Sequence, residues 1–427
     1  MKVKIIPSSA KGCITAPPSK SMAHRLLICA GLAEGRSQVN NVVLSEDISA
    51  TLDCLQALGA KWQLDDKTIL IDGTNPKKCK PQTELNCRES GSTLRFLIPL
   101  ALINGNIVNL SGSEYLFKRP LGVYHDIAQE RNLLFEHQIN GITVQGPLIN
   151  GYYSIPGNIS SQFATGLLYA LPLLSGNSIL QITPPVESFS YILMTIEALR
   201  EFGIDVSFDI STIENAQTVN NRWTAKKIEN VQNTGIRFTI QGNQKFKSGN
   251  RTVEGDYSNA AFLAAFNLFG GKVEVKGLKT DSLQGDAVYP ELFKQLTESS
   301  PQISLKNCPD LGPILFAIAA AYNGATFTDT QRLAIKESNR ANAMAKELAK
   351  FGSRVILKPN SVQIIPGILN TPKEILFGHN DHRIVMSLAI LCSITGGIIE
   401  GAAAVSKSFP DFFTVMEQLG IELEYIK

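Results

Sequence analysis

The seven cysteines of this 427-residue chain include no C-x-x-C pair, and their number is odd. That argues against a disulfide framework and predicts reduced thiols in a cytosol. No compact His/Cys/Asp cluster has metal-ligand spacing, so neither a metal nor a cofactor is expected. A dominant charge is also missing. A net charge of +2 is too small for a nucleic-acid coat or a membrane-surface binder. The opening "MKVKIIPSSAKG" has no apolar h-region, so it does not read as a signal peptide. The longest apolar tract, "IVMSLAILCSITGGII", is broken by Ser, Thr and two Gly. It is expected to be a buried helix running into a strand, not a membrane span. What remains, 44% hydrophobic and 18% charged residues, describes a soluble globular protein, expected to be cytoplasmic and monomeric. The length exceeds one core and predicts two domains.

Repetition is the strongest organising signal present. An apolar helix, a Gly stop and a short β-rich run recur six times. The copies are "LLICAGLAEGRSQVNNVVL", "LRFLIPLALINGNIVNLSG", "GLLYALPLLSGNSILQITP", "AAFLAAFNLFGGKVEVKGL", "PILFAIAAAYNGATFTDT" and "RIVMSLAILCSITGGIIEGA". Their stop glycines are Gly35, Gly105, Gly176, Gly270, Gly324 and Gly396, spaced 70, 71, 94, 54 and 72 apart. The long third gap predicts an insertion, the polar stretch from Asp209 to Gly235. Three copies on either side of it predict an α/β protein of two similar domains with three units each. Further helices are expected in "EDISATLDCLQALGA" and "ESNRANAMAKELAKFGS".

The helix starts have an unusual charge. In "PPSKSMAHRLLICAGLAEG" the two prolines bar a helix upstream, so one begins near residue 20, with Ser19 or Ser21 as candidate cap. The positive end of a helix dipole favours Asp or Glu, yet this turn carries Lys20, His24 and Arg25. Arg95, Lys336, Arg340 and Arg383 also fall at or near helix beginnings. One such cation would be unremarkable on a surface. The recurrence predicts helix starts that bind a ligand with several negative charges, because free backbone N–H groups, the dipole and formal charge act together there.

Nine motifs, "PPSKSMAHR", "ESGSTLRFL", "KRPLG", "SSQF", "VEGDYSNAAF", "QGD", "KESNR", "NDHR" and "KSFPDFF", occur in an order that resembles the 5-enolpyruvylshikimate-3-phosphate synthase family, across nearly the whole chain. The resemblance implies two domains of three βαβαββ units each, an inside-out α/β barrel with helices inside and sheets outside. It places the active site in the interdomain cleft. Residues 17–250 would form one domain, and 1–16 with 251–427 the other. The implied reaction transfers the enolpyruvyl group of phosphoenolpyruvate to the 5-hydroxyl of shikimate 3-phosphate, with no metal.

The same resemblance assigns roles. Lys20 would touch both substrates, with Ser21 and Arg25 on the shikimate phosphate side. Ser160, Ser161, Gln162, Ser188, Tyr191, Asp310 and Lys336 would complete the shikimate 3-phosphate site. Gly91, Arg119, Gln162, Arg340, Arg383 and Lys407 would hold phosphoenolpyruvate, and His382 would support Arg383. Asp310 would take the 5-hydroxyl proton, and Glu337 would exchange a proton with the methylene carbon, with Lys20 sharing the proton duties. Taken singly, several of these have plainer readings: Ser160 and Asp310 as helix caps, Lys336 and Glu337 as surface charges along a helix, Tyr191 as a core aromatic. Pro18, Glu89, Ser92, Phe96, Arg332 and Asn339 depart from frequent family residues, but none removes a proposed catalytic group. Two alternatives are the sister transfer to a UDP-linked amino sugar and a non-catalytic polyanion-binding module. The first typically has Lys-Asn in the first loop and a loop Cys, whereas Lys20-Ser21 and "SEYLFKRPLG" stand here. The balanced charge argues against the second.

Overall fold

The computed structural model describes residues 1–78, 80, 82–209 and 231–426. The chain forms two compact units, Lys20–Val253 and Met1–Ser19 with Glu254–Lys427.

Within Lys20–Val253 three sheets share one strand order. The strand Thr83–Asn86 runs parallel to Ile107–Ser111, which pairs antiparallel with Gly141–Gln145, itself antiparallel to Leu134–Gln138. The same pattern links Tyr152–Pro156, Ser178–Thr183, Ile236–Ile240 and Val206–Asp209. It recurs with Asn250–Thr252, Arg36–Asn40, Thr68–Asp72 and Lys61–Asp65. In the other unit it appears with Gln302–Ser304, Ala325–Thr328, Ser361–Ile365 and Arg354–Lys358. It appears again with Leu376–Phe377, Gly397–Glu400, Lys2–Ile6 and Glu422–Ile426. The amino-terminal strand thus lies between two carboxy-terminal ones.

Among the described residues the sixth sheet has two strands, Lys272–Lys276 parallel to Lys11–Thr15. This explains the short spacing of 54 after Gly270. The chain passes from Lys276 through the helix Tyr289–Glu298 to Gln302–Ser304, the first strand of the next sheet, without the hairpin that other copies insert. The expected insertion falls between the paired strands Val206–Asp209 and Ile236–Ile240, and most of it lies outside the described residues.

Strands and helices are patterned differently for a physical reason. Strands such as Thr68–Asp72 and Lys2–Ile6 alternate buried and partly exposed residues, one face on the core. The central helices are apolar almost all round and are buried accordingly, as in Gly312–Ala321 and His382–Thr395. The latter ends at Gly396 and gives way to the strand Gly397–Glu400, so the long apolar tract is a buried helix followed by a strand. Among the described residues no helix is long and apolar enough to cross a membrane. Four stop glycines, Gly35, Gly270, Gly324 and Gly396, have positive φ, which L side chains rarely adopt. Gly105 and Gly176 do not.

Candidate active site

In Lys20–Val253 the first helix spans Lys20–Leu32, with no acid in its first turn. Its charge is answered from a neighbour: the Lys20 Nζ donates to Asp47 Oδ2 at 2.8 Å. Asp47 lies in the first turn of the helix Glu46–Ala57, where the dipole favours it. Arg25, only 2% exposed, braces two helices. Its Nε donates to Thr195 Oγ1 at 3.0 Å, Nη1 to the Ser21 carbonyl at 2.6 Å and Nη2 to the Tyr191 carbonyl at 2.9 Å. Its guanidinium also lies 5.4 Å from the Phe96 ring centre and 5.9 Å from that of Tyr191. Phe96, one of the departures, therefore packs beneath the Arg25 guanidinium.

Ser90 caps the helix Gly91–Ala101, accepting from the Thr93 N–H. The ideal Cβ position of Gly91 lies 2.4 Å from Arg119 Nη1 and 2.8 Å from its Cζ, so the guanidinium rests against bare backbone. Gly91 has no positive φ; what requires glycine here is space. Ser160 caps the helix Ser161–Ala170, accepting from the Gln162 N–H. Gln162 bridges a cation and a hydroxyl: Arg95 Nη1 donates to its Oε1 at 2.7 Å, and its Nε2 donates to Ser92 Oγ at 3.0 Å. Ser188 is left-handed, φ 52, at the start of the helix Phe189–Glu201.

Beneath this surface runs a chain that the sequence did not reveal. His24 Nδ1 meets Thr51 Oγ1 at 2.8 Å, Thr51 meets Thr93 Oγ1 at 2.7 Å, and Thr93 donates to Ser90 Oγ at 2.7 Å. All four side chains are fully buried. Burial, then the charges of Lys20 and Arg25, hold the His24 imidazole well below its ordinary value and keep it neutral. The chain ties three helix starts together. Its members are 27, 42 and 3 residues apart, and no local motif encodes the first two of these pairings.

The other unit holds a denser constellation. Arg340 has a side-chain exposure of 0%. It donates from Nε to Asp381 Oδ2 at 2.8 Å, from Nη1 to Asp310 Oδ1 at 2.7 Å and from Nη2 to Glu337 Oε2 at 2.6 Å. Lys336 lies 3.2 Å from Asp310 Oδ1, and Arg383 Nη2 lies 3.5 Å from its Oδ2. Asp310 is therefore no helix cap: its carboxylate sits among three cations. Burial alone would raise its pKa, but Arg383, Lys336 and Arg340 outweigh burial and hold it well below the usual carboxylate range. Lys336 follows the short turn Gln331–Ile335 rather than lying in an α-helix, and Glu337 pairs with the buried Arg340. Burial lowers the Lys336 pKa, with Asp310 opposing. Lys407 donates to the Asn380 carbonyl at 2.7 Å. That carbonyl is presented by two consecutive left-handed residues, His379 at φ 49 and Asn380 at φ 52, a costly conformation for non-glycine residues.

Asp381 is the residue sequence reasoning passed over, although it stands inside the quoted "NDHR". It caps the helix His382–Thr395 by accepting from the Arg383 N–H at 3.0 Å, accepts from Ser338 Oγ at 3.0 Å, and holds Arg340. An Asp directly before a cationic helix start was the available signal. Asn339 caps the helix Arg340–Lys350, so the Asp-to-Asn departure preserves the cap. Among the described residues no group of three His, Cys, Asp or Glu side chains could hold a metal ion.

In each unit of this repeat-built α/β protein the helix starts carry cations, hydroxyls and tightly held carboxylates, a chemistry suited to small polyanions. The chain belongs to the EPSP synthase (3-phosphoshikimate 1-carboxyvinyltransferase) family, whose model matches residues 5–220 and 225–416. It is 38% identical over 443 residues to the 3-phosphoshikimate 1-carboxyvinyltransferase of Clostridium kluyveri, covering 99% of this chain and 98% of that one. It is also 38% identical over 449 residues to that of Clostridium acetobutylicum, covering 98% and 97%. An EPSP synthase structure from Acinetobacter baumannii superimposes with a TM-score of 0.76 at 21% identity, covering 100% of both chains, a likeness of fold.

Proposed function

We propose that this chain transfers the enolpyruvyl group of phosphoenolpyruvate to the 5-hydroxyl of shikimate 3-phosphate, a step of the shikimate pathway to chorismate and the aromatic amino acids. The observation that carries the reading is family membership over nearly the full length, with every proposed catalytic group present. In the addition, the 5-hydroxyl oxygen bonds to C2 of phosphoenolpyruvate while a proton joins its methylene carbon, giving a tetrahedral ketal. In the elimination, the new methyl group loses a proton, the C2–O bond to phosphate breaks, and inorganic phosphate leaves. Glu337 serves the carbon proton, Asp310 accepts the hydroxyl proton, and Lys20 serves the departing phosphate. Ser21, Arg25, Ser160, Ser161, Gln162, Ser188, Tyr191 and Lys336 hold shikimate 3-phosphate. Gly91, Arg119, Arg383 and Lys407 hold phosphoenolpyruvate. Arg340 contributes chiefly by holding Glu337, Asp310 and Asp381 in place, since its nitrogens are already engaged by carboxylates. Acid–base groups supply about 10²–10⁴-fold of the rate; positioning and preorganised positive charge supply the rest.

Asp310 and the substrate anions compete for the same cations. As anions occupy Lys336 and Arg383, the field that keeps Asp310 ionised weakens and its proton affinity rises. A poor base in the free protein thereby becomes a better one when loaded. The deciding assay is phosphate release from phosphoenolpyruvate. It is expected only with shikimate 3-phosphate present. Release with a UDP-linked amino sugar instead would reassign the chain to the sister reaction, and no release with either would sink the reading.

Gly91→Ala is expected to raise KM for phosphoenolpyruvate several-fold while sparing shikimate 3-phosphate. The added methyl falls where the Arg119 guanidinium lies, and the flexible end of Arg119 must move away. Because Gly91 has ordinary φ, the thermal midpoint should stay close to wild type. A large fall would assign the glycine a backbone role, and unchanged kinetics would remove both Gly91 and Arg119 from the site.

A further inference from the structure

The carboxylates Asp310, Asp381 and Glu347 all sit in ion pairs. Asp286, in the motif "QGD", does not. It is 2% exposed and forms no ion pair among the described residues. One of its oxygens accepts a hydrogen bond from Ser258 Oγ, and Oδ1 is buried with no hydrogen-bond partner. A charged carboxylate so placed would be poorly solvated. The titratable groups around it come from three elements. Asp256 caps the helix Tyr257–Ala265, Cys308 and Asp310 lie in or beside the turn Pro309–Leu311, and Arg383 starts the helix His382–Thr395. Arg383 is the cation among them, and it already donates to the Asp310 carbonyl at 3.3 Å and lies 3.5 Å from its carboxylate.

We propose that Asp286 is a positioning residue for the transfer: in its uncharged form it leaves the charge of Arg383 to Asp310 and the incoming phosphoenolpyruvate anion. This rests on the reading that Arg383 holds phosphoenolpyruvate. If Asp286 ionised, a second carboxylate would share the field of Arg383 and compete with the substrate. Burial first, then Asp310, with Arg383 and the Ser258 hydrogen bond opposing, push the carboxyl up to about 7. The competition would therefore set in near neutrality.

Two readouts test this, one of them independent of catalysis. A carboxyl raised from about 4 in the unfolded chain stabilises the fold fully at acid pH. That contribution is lost as pH rises to about 7. Asp286→Asn carries no such charge, so its thermal midpoint is expected to gain at least about 3 °C relative to wild type on going from about pH 5 to about pH 8. The ratio of wild-type to Asp286→Asn KM for phosphoenolpyruvate is expected to grow about fivefold or more over the same range. Using the ratio cancels the substrate's own phosphate titration near 6. Ser258→Ala removes a hydrogen bond that favours the ionised form, so the rise in KM should move to higher pH. A KM ratio flat with pH overturns the proposal. Arg383→Lys separates the two levels. If it raises KM while the ratio stays flat, only the role of Asp286 fails; if it leaves KM for phosphoenolpyruvate unchanged, the assignment of Arg383 fails with it.

Discussion

Arg340→Met is expected to destabilise the unit that contains it by about 3–5 kcal/mol, the usual consequence of removing one partner from a buried ionic cluster. The side chain has no exposure and reaches three carboxylates within 2.8 Å. Without it, Asp381, which is 0% exposed, keeps Ser338 and the Arg383 N–H but loses its guanidinium. Asp310 keeps Lys336 and Arg383 and suffers less. For a unit of this size the thermal midpoint should fall by roughly 6–20 °C. Phosphate release should collapse as well, because Glu337 loses the contact that orients it. Arg340→Lys should fall between: it retains the charge but cannot span three carboxylates from one planar fork. A midpoint within experimental error of wild type for Arg340→Met would show that the cluster relaxes around its loss, and would remove Arg340 as its organising cation.

Glu337→Gln should lower kcat by about 10²-fold or more with little change in KM for either substrate. The amide keeps the size and can still accept from Arg340 Nη2, now at 2.6 Å from Oε2, but it cannot carry a proton to or from carbon. Asp310→Asn is the companion. Its carboxylate anchors Lys336, Arg340 and Arg383 in addition to its proposed role as base, so both kcat and KM should change. The pH profile separates the two roles. Because those cations hold Asp310 well below the usual carboxylate range, protonation of Asp310 should not reduce kcat/KM anywhere above about pH 4. The same depression adds stability that is present above the unfolded value and is lost as pH falls through the folded one. The stability advantage of wild type over Asp310→Asn should therefore shrink as pH falls below about 4. A near-normal kcat for Glu337→Gln would transfer the carbon proton to another group, with Lys20 the next to test.

The residues themselves determined a good deal. Helix starts at Lys20, Gly91 and Arg340 were legible because proline, serine, asparagine and glycine act on the backbone within three or four residues. The repeat was legible because each α/β unit must end its helix and begin its strand in the same way. The cations stood out because they oppose the local dipole. The remainder was decided by burial and by pairings far apart in the chain. Nothing near Lys20 names Asp47 as its partner, nothing near His24 names Thr51 and Thr93, and the strand Lys2–Ile6 finds its neighbours about 400 residues away. Asp381, Asp310 and Asp286 are one residue type, yet their surroundings differ. One lies against a fully buried guanidinium, one among three cations, and one has a buried oxygen with no partner. Local sequence sets which groups a chain has and which way its helices begin. Desolvation and the charges brought alongside set what those groups do, and both depend on neighbours supplied only when distant segments pack.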